Sequence, residues 1–193
     1  MEKRIFIVHG FGAIVDEGWL GWLRRELETQ GFLVASLQMP NTNKPEIQVW
    51  VNYLKNAVGS LDENTFFIGH SIGCQAIARY LESLPVAETS GGAIFVSGFF
   101  KRLTIADFDD ESKKVLREWL DAPINLIVVK RHLLKSIAIF SDDDPYVPID
   151  NVEEFKYIIG SEIIIEHKQG HFSSSSGLPK YPSVLNVVLG FLK

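Results

Sequence analysis

Short apolar runs recur along the whole chain, and helical stretches lie between them. The runs are apolar at successive positions rather than at alternate ones, which is typical of strands that are covered on both faces of a sheet. Strand followed by helix, repeated, predicts a three-layer α/β fold in which helices cover both faces of a mostly parallel sheet. The predicted strands are residues 5–8, 32–37, 65–68, 93–97, 136–140 and 162–166.

The segments between these runs carry helical signals. Trp19, Leu23 and Leu27 recur at helical spacing, and Gly31 follows them as a typical helix stop. At 193 residues the chain is long enough to bury one substantial core, so we expect a single domain over 1–193. The predicted helices are residues 19–30, 46–58, 74–82, 152–159 and 183–192.

One segment, residues 98–135, is longer than a simple crossover between strands. It contains a helix-like piece at 111–120 and an apolar piece at 124–129. Ligands in open α/β sheets bind outside the carboxyl ends of the strands, so a segment that leaves from such an end can form a lid or a pocket wall. A structural excursion that packs elsewhere is an equally open interpretation. Residues 173–177, a serine-rich run, predict a flexible loop.

Charge and composition narrow the classes of protein that this chain can be. A formal net charge of -5 argues against a general nucleic-acid surface. The single cysteine, Cys74, excludes an intrachain disulfide framework, and its place on the inward face of a helix predicts a core side chain rather than a nucleophile. No run approaches the roughly 18 apolar residues of a membrane span, and no secretory signal precedes the first strand, so we expect a cytoplasmic protein.

Residues 69–73 read Gly-His-Ser-Ile-Gly and lie between a predicted strand and a predicted helix. The pattern G-x-S-x-G in this context is typical of a nucleophile elbow, a sharp turn that exposes the hydroxyl of Ser71 above the sheet. The flanking glycines let the strand and the helix pack against the turn without Cβ clashes. An ordinary Gly/Ser turn is the alternative interpretation.

A serine at such a turn needs a base and a carboxylate, because its hydroxyl is a poor nucleophile until a base takes its proton. On this architecture the expected chain order is serine, acid, histidine. Asp144 follows the fifth predicted strand, and His171 follows the sixth. The carboxyl ends of parallel strands meet at one edge of the sheet. We therefore expect Ser71, Asp144 and His171 to converge there as nucleophile, acid and base.

Three aspartates stand in a row at positions 142–144. We choose Asp144 as the acid because the Pro-Tyr-Val-Pro sequence that follows fixes the turn and begins the next helix. Asp142 and Asp143 are then turn formers or solvated charges. A metal site is the rival interpretation of this cluster, but no histidine lies nearby at ligand spacing, so we expect no metal. The fallback acids are Asp107, Asp109 and Asp110.

Residues 9–12, His-Gly-Phe-Gly, directly follow the first strand. The negative charge that develops on a tetrahedral intermediate needs preorganised N–H donors. On this architecture one donor comes from the residue after the nucleophile, here Ile72, and the other from the loop after an early strand, for which Phe11 is the candidate. A dinucleotide-binding motif is excluded because Val15 stands where its third glycine is required. No phosphate-binding loop occurs either, so we expect no cofactor.

Aromatic side chains on three predicted loops at this edge are candidates for the wall of a substrate pocket. One follows the fourth strand, one follows the chosen acid, and one follows the chosen histidine. Core or rim packing is the alternative for each of them. The candidates are Phe99, Tyr146 and Phe172.

The chain resembles the small serine hydrolases of the YdeN-like, retinoblastoma-binding-protein-nine family, a compact branch of the α/β-hydrolase superfamily. The resemblance implies that Ser71, Asp144 and His171 match the nucleophile, acid and base of the family. It also implies a reduced sheet of about six strands in the order 2-1-3-4-5-6, with the elbow strand central. The segments that carry the resemblance are residues 7–10, 38–41, 69–74, 96–99, 143–145, 147–148 and 170–172.

These observations together predict a serine hydrolase that cleaves small ester, thioester or amide substrates through a covalent acyl-enzyme. An acyltransferase and a catalytically weak binding protein with the same fold are the alternatives. The human relative is named for binding the retinoblastoma protein through an L-x-C-x-E motif. Here Cys74 has Ile72 two residues before it and Ala76 two after it, so the motif is absent and we carry over no such partner.

Overall fold

The computed structural model describes residues 2–173 and 180–193, so most of the serine-rich run predicted as a loop lies outside the described residues. Within them, six strands form one parallel sheet in the order β2-β1-β3-β4-β5-β6, which confirms the predicted fold. The strands are β1 (Arg4–Val8), β2 (Leu33–Leu37), β3 (Thr65–His70), β4 (Gly92–Val96), β5 (Ser136–Ser141) and β6 (Glu162–Glu166).

Helices connect the strands, and none in the described part of the chain is long and apolar enough to cross a membrane. Four of the predicted helices are found with ends within two residues of those expected. The long segment after β4 contributes two more helices. The α-helices are α1 (Gly18–Thr29), α2 (Ile47–Val58), α3 (Ile72–Glu82), α4 (Asp110–Asp121), α5 (Leu126–Arg131) and α6 (Pro182–Phe191).

Residues 152–159 are helical, as predicted, but most of them form a different helix type from the α-helices of the fold. A short 3-10 turn comes first, and Glu154–Ile159 then forms a π-helical turn. The N–H groups of Gly160 and Ser161 both donate to the carbonyl of Phe155, a wider hydrogen-bond spacing than in an α-helix. Over so short a stretch, the apolar spacing of the two helix types is too similar for the sequence pattern to separate them.

Side chains on successive strand residues point to opposite faces of the sheet, and each face carries its own core. On one face, Ile5 and Ile7 of the central region pack in a cluster with α1 and α6. On the other, Phe6 and Val8 pack in a cluster that includes residues of α2, α3, α4 and α5. The strand runs are apolar at successive positions because both faces are buried.

All six strands point the same way, so their carboxyl ends meet at one edge of the sheet. Val8 at the end of β1 lies beside Gly69 of β3, and Ser141 at the end of β5 lies beside Glu166 of β6. The loops that carry the predicted site residues therefore leave the sheet at neighbouring points.

Candidate active site

Ser71 stands between β3 and α3 with backbone angles of φ 55° and ψ -125°. This positive φ is strained for a residue that has a Cβ, and a strained strand-to-helix turn is the geometry of a nucleophile elbow. The N–H of Ser71 donates to the carbonyl of Val96 on β4 at 2.9 Å, which ties the turn to the neighbouring strand. The side chain is largely buried, and it lines a cavity at the carboxyl edge of the sheet.

Two glycines beside the elbow are required by the close approach of the surrounding backbone. A Cβ on Gly73 would lie 2.3 Å from the carbonyl oxygen of Val8. A Cβ on Gly69 would lie 2.9 Å from the backbone nitrogen of Cys74. These separations are too short for carbon atoms, so α3 reaches its place against the sheet only because both positions are glycine.

His171 and Asp144 are joined at this edge by a hydrogen bond. Nδ1 of His171 donates to Asp144, with separations of 2.8 Å to Oδ2 and 3.1 Å to Oδ1. The Asp144 side chain is only 2% exposed, and it also accepts hydrogen bonds from the N–H groups of Tyr146 and Val147. Burial opposes ionisation of this carboxyl, but its hydrogen bonds and the facing His171 outweigh burial and lower the pKa of Asp144.

The two preceding aspartates have partners that the sequence did not predict. Both side chains are exposed to solvent, yet both contact residues 167–173, which we call the histidine loop because it carries His171. Asp142 accepts a hydrogen bond from Nδ1 of His167 at 2.6 Å, and this bond raises the pKa of His167. Asp143 accepts one from the N–H of Gly170 at 2.8 Å. They are thus bound to the loop as well as solvated.

The fallback acids lie away from this arrangement. Asp109 accepts a hydrogen bond from the N–H of Ser112 at 2.9 Å and so caps the beginning of α4. Within the described residues, the cavity lined by Ser71 is not lined by Asp107, Asp109 or Asp110.

His70, the residue just before Ser71, also binds the backbone of the histidine loop. Its Nε2 donates to the carbonyl of His171 at 2.8 Å, and its ring packs edge-on against Trp19. Burial, with a smaller contribution from the nearby charge of His171, lowers the pKa of His70 to about 3, so the ring is neutral near pH 7. The G-x-S-x-G pattern leaves this position open to any residue, so the motif gave no signal of its role.

The loop after β1 lies against the elbow. A Cβ on Gly10 would lie 3.3 Å from the Cβ of Ser71. The ring of His9 holds this loop, because its Nδ1 donates to the carbonyl of Gly10 at 2.8 Å while its Nε2 accepts from the N–H of Met39 at 3.1 Å. Burial lowers the pKa of His9, which keeps the ring in the neutral form that can make both bonds.

The two predicted oxyanion donors belong to this loop and to the elbow. Ile72 is the first residue of α3, and the first N–H groups of a helix have no partner within the helix. The N–H of Phe11 finds no acceptor within the described part of the protein. It shares a peptide plane with the carbonyl of Gly10 and points the opposite way, so the hydrogen bond from His9 to that carbonyl fixes its direction.

A cavity of about 390 Å³ lies over this edge, within the size range of small-molecule sites. Its lining includes Ser71 and His171 as well as the ring of Phe11. Among the described residues that line it, Glu17 is the one lysine, arginine, aspartate or glutamate. The three aromatic residues predicted for the pocket all line this cavity, namely Phe99, Tyr146 and Phe172.

Residues of segment 98–135 line one side of the cavity. The ring of Phe108 contacts those of Phe11 and Tyr146, with centroid separations of 6.5 and 5.2 Å. The wall thereby touches both the loop after β1 and the turn that follows Asp144. The side chains that it contributes are apolar, namely Phe99, Leu103, Ile105, Phe108 and Leu116.

Polar side chains from the rest of the fold hold this wall in place. Arg79 of α3 donates to the carbonyls of Trp119 and Ala122 at the end of α4, at 2.9 and 2.8 Å. The buried Asn151 accepts a hydrogen bond from the N–H of Phe100 at 3.1 Å, near the start of the segment. These contacts hold the segment near both ends of the stretch that lines the cavity.

The remaining predictions concern a thiol and a metal. Cys74 is fully buried within α3, and its Sγ lies 3.5 Å from the carbonyl of Val96. Burial raises the pKa of the Cys74 thiol, which suits a core side chain rather than a nucleophile. Over residues 2–173 and 180–193, no group of three or more histidine, cysteine, aspartate or glutamate side chains is placed to hold a metal ion.

The chain is similar in sequence to a serine hydrolase family profile and to two curated hydrolases. The sequence profile described as "Serine hydrolase" matches residues 5–189. The YdeN protein of Bacillus subtilis (strain 168) is 30% identical over 191 residues, which cover 99% of this chain and 97% of that protein. The serine hydrolase RBBP9 of Rattus norvegicus is 27% identical over 168 residues, which cover 86% of this chain and 84% of that protein. The family resemblance seen in the sequence is thereby confirmed.

Solved structures agree with the sequence matches. The crystal structure of the ydeN gene product from B. subtilis superposes with a TM-score of 0.87, covers 98% of both chains and is 30% identical. Est1E from Butyrivibrio proteoclasticus superposes with a TM-score of 0.71 at 12% identity, over 99% of this chain and 88% of that one. The second similarity concerns the fold alone.

Proposed function

The chain belongs to the serine hydrolase family, and from that premise we propose that it cleaves small ester, thioester or amide substrates through an acyl-enzyme on Ser71. The observation that carries the proposal is the hydrogen bond between the buried Asp144 and Nδ1 of His171, beside a cavity that His171 shares with Ser71. A carboxylate on Nδ1 leaves Nε2, on the opposite side of the ring, as the base for the serine hydroxyl.

Acylation begins when Nε2 of His171 takes the proton from Oγ of Ser71 as that oxygen attacks the substrate carbonyl carbon. The carboxylate of Asp144 stabilises the imidazolium that forms. The oxyanion of the tetrahedral intermediate accepts hydrogen bonds from the N–H groups of Ile72 and Phe11. The bond between the carbonyl carbon and the leaving group then breaks, and His171 gives its proton to the leaving oxygen, sulfur or nitrogen.

Deacylation repeats these steps with water as the nucleophile. Nε2 of His171 takes a proton from water as its oxygen attacks the acyl carbonyl carbon, and the same two N–H groups hold the oxyanion. The bond from carbon to Oγ of Ser71 breaks, and His171 returns the proton to that oxygen. The products are a carboxylic acid and the free serine.

The chemical character of the cavity lining favours substrates with small, uncharged acyl groups. Apolar and aromatic side chains dominate it, and Glu17 is the one acidic or basic side chain besides histidine among the described residues that line it. No lysine or arginine in that lining could pair with an acidic acyl chain. We therefore propose segment 98–135 as a wall of the acyl pocket, and a butyryl ester as a better substrate than a succinyl half-ester.

The test is hydrolysis of p-nitrophenyl acetate and butyrate by the wild type beside Ser71→Ala. We expect kcat/KM to fall by about 10⁴-fold or more in the variant, because the acyl-enzyme cannot form. A fluorophosphonate probe should label the wild type and not Ser71→Ala.

Ser97→Ala is the matched control for this test. Ser97 is a buried serine that follows β4, with φ 46° and with no hydrogen-bond partner for its Oγ in the described structure. This variant should keep wild-type activity and labelling. Wild-type protein that neither turns over the esters nor reacts with the probe would favour a binding protein, whereas an acyl-enzyme resolved faster by an added alcohol or amine than by water would indicate an acyltransferase.

A further inference from the structure

The histidine loop turns sharply on both sides of His171. Lys168, Gly170 and Phe172 all have positive φ, at 57°, 56° and 46°. Residues other than glycine adopt this conformation only when their surroundings impose it. The parallel pairing of β5 with β6 ends at Ser141 beside Glu166, so strand pairing does not hold the loop beyond that point.

Beyond the end of the strand pairing, side chains at the end of β5 and just after it bind the backbone of the histidine loop. Oγ of Ser141 accepts a hydrogen bond from the N–H of Gln169 at 2.9 Å and donates one to Oδ1 of Asp143 at 2.7 Å. Oδ1 of Asp143 also accepts the N–H of Gly170 at 2.8 Å. Two successive N–H groups of the loop are thereby bound to two side chains that are themselves joined.

Asp143 contacts the residue directly before His171, and this sets it apart from the aspartate beside it. Asp142 binds the loop farther from the histidine, through the N–H of Lys168 at 2.9 Å and the side chain of His167. The side chain of His167 is 82% exposed, so that contact lies in solvent. The backbone N–H of the residue before His171 is therefore bound by Asp143 and not by Asp142.

We propose that Asp143 is a positioning residue for His171. By holding the N–H of Gly170, it fixes the backbone from which the imidazole extends and so keeps Nδ1 directed at Asp144, 2.8 Å away. Asp143 touches neither substrate nor the reacting atoms, and its effect passes entirely through the loop. The inference rests on the proposed function of Ser71, Asp144 and His171.

The experiment compares Asp143→Ala, Asp143→Asn and Asp142→Ala on p-nitrophenyl butyrate, with kcat and KM determined separately. Loss of the acceptor in Asp143→Ala should lower kcat about tenfold and leave KM within about twofold, because the base is misplaced while the pocket is unchanged. Asparagine keeps an oxygen at the same place, so Asp143→Asn should recover most of the activity. Asp142→Ala should stay within about twofold of the wild type.

A second measurement reads the position of the base without turnover. The proton on Nδ1 of His171, bound to a buried carboxylate, should give a downfield NMR signal that is assigned by its loss in His171→Gln. In Asp143→Ala this signal should weaken through faster exchange with water, while it persists in Asp142→Ala. The thermal unfolding midpoints of the variants identify any general loss of fold.

The outcomes separate this inference from the proposed function. An unchanged kcat and an unchanged Nδ1 signal in Asp143→Ala would overturn the positioning role, as would equal losses in Asp142→Ala and Asp143→Ala. A severe loss in Asp143→Asn together with a loss of less than tenfold in Asp144→Asn would overturn the positioning role and make Asp143 the catalytic acid. If the wild type shows no turnover, the proposed function fails, and the NMR signal still decides whether Asp143 positions His171.

Discussion

The elbow and the histidine loop reach the same cavity by different physical means. The elbow is set by backbone packing, since α3 lies so close to β1 that a Cβ at Gly73 would be 2.3 Å from the carbonyl oxygen of Val8. The histidine loop is set by polar side chains, since His70 and Asp143 each hold one of its backbone groups. One region depends on the absence of side-chain atoms and the other on their presence.

This difference determines which changes each region tolerates. A region held by close packing is sensitive to added volume and insensitive to charge or pH. A region held by carboxylates and imidazoles is sensitive to charge and to protonation, while its solvent-exposed contacts leave room for changes in size. Substitutions at the elbow should therefore lower mainly the stability of the protein, whereas substitutions of the side chains that hold the histidine loop should lower mainly its activity.

The largest effect is expected in the polar region, with Asp144→Asn. The amide cannot hold His171 in the required tautomer or stabilise its cation, so kcat on p-nitrophenyl butyrate should fall by about 10⁴-fold with little change in the unfolding midpoint. Steady-state kinetics and thermal unfolding, run together, measure both quantities. Asp142→Asn is the matched control and should stay within about twofold, whereas a drop of less than tenfold in Asp144→Asn would show that another group orients the base.

The next effect tests the packed region through added volume. Gly73→Ala places a methyl group against the backbone of β1, so the free energy of unfolding should fall by about 3 kcal/mol or more. Gly190 also lies within a helix, but a Cβ there would meet nothing within 4 Å. Gly190→Ala should therefore raise stability by about 0.5–1 kcal/mol. Urea unfolding measures both values, and similar losses in the two variants would argue that helix glycines, rather than the elbow contact, limit stability.

The smallest expected effect is a change in how the free energy of unfolding depends on pH, through His70 in the polar region. Because the pKa of His70 is lowered to about 3 in the folded protein, the unfolded chain binds a proton at His70 below about pH 6.5 that the folded chain excludes. Above pH 6.5, His70 therefore does not reduce the free energy of unfolding. As the pH falls from 6.5 toward 3, His70 lowers the free energy of unfolding by up to about 1.4 kcal/mol per pH unit.

His70→Gln tests this dependence, because glutamine cannot be protonated and can still donate to the carbonyl of His171. The difference in unfolding free energy between pH 6.5 and pH 4.5 should shrink by about 2 kcal/mol relative to the wild type. His167→Gln, which removes an exposed histidine with a raised pKa, should leave the acid-side loss in place. An unchanged pH dependence in His70→Gln would assign that loss to other groups.

The sequence predicted local features of this molecule well, because their signals lie within a few adjacent residues. The apolar runs located the strands, and the glycines on either side of Ser71 predicted the tight turn that the structure shows. The order of the strands came from the family resemblance, since alternation alone allows other orders. What the sequence could not predict are contacts between distant segments: Asp143 meets Gly170, 27 residues away, only because β5 and β6 end side by side.

The same limit applies to histidines. His9 and His171 both follow a strand, and that placement predicts His9 as part of the oxyanion loop and His171 as the base. The G-x-S-x-G motif assigns no role to His70, because the position is variable in the motif, and its role depends on the carbonyl of His171, 101 residues later in the chain. A residue's position in a motif predicts its own chemical role. Its hydrogen-bond partners on distant loops are known only from the three-dimensional structure.

The burial of Cys74 has a practical consequence for measuring motion at the elbow. It is the single thiol of the chain, and it lies in the first turn of the helix that begins at Ile72. In the folded state the sulfur is enclosed and its raised pKa keeps it protonated, so a maleimide can react only when α3 separates from the sheet. The rate of thiol modification, compared with the rate of global unfolding, therefore reports the free energy of local opening beside Ser71 without an introduced cysteine.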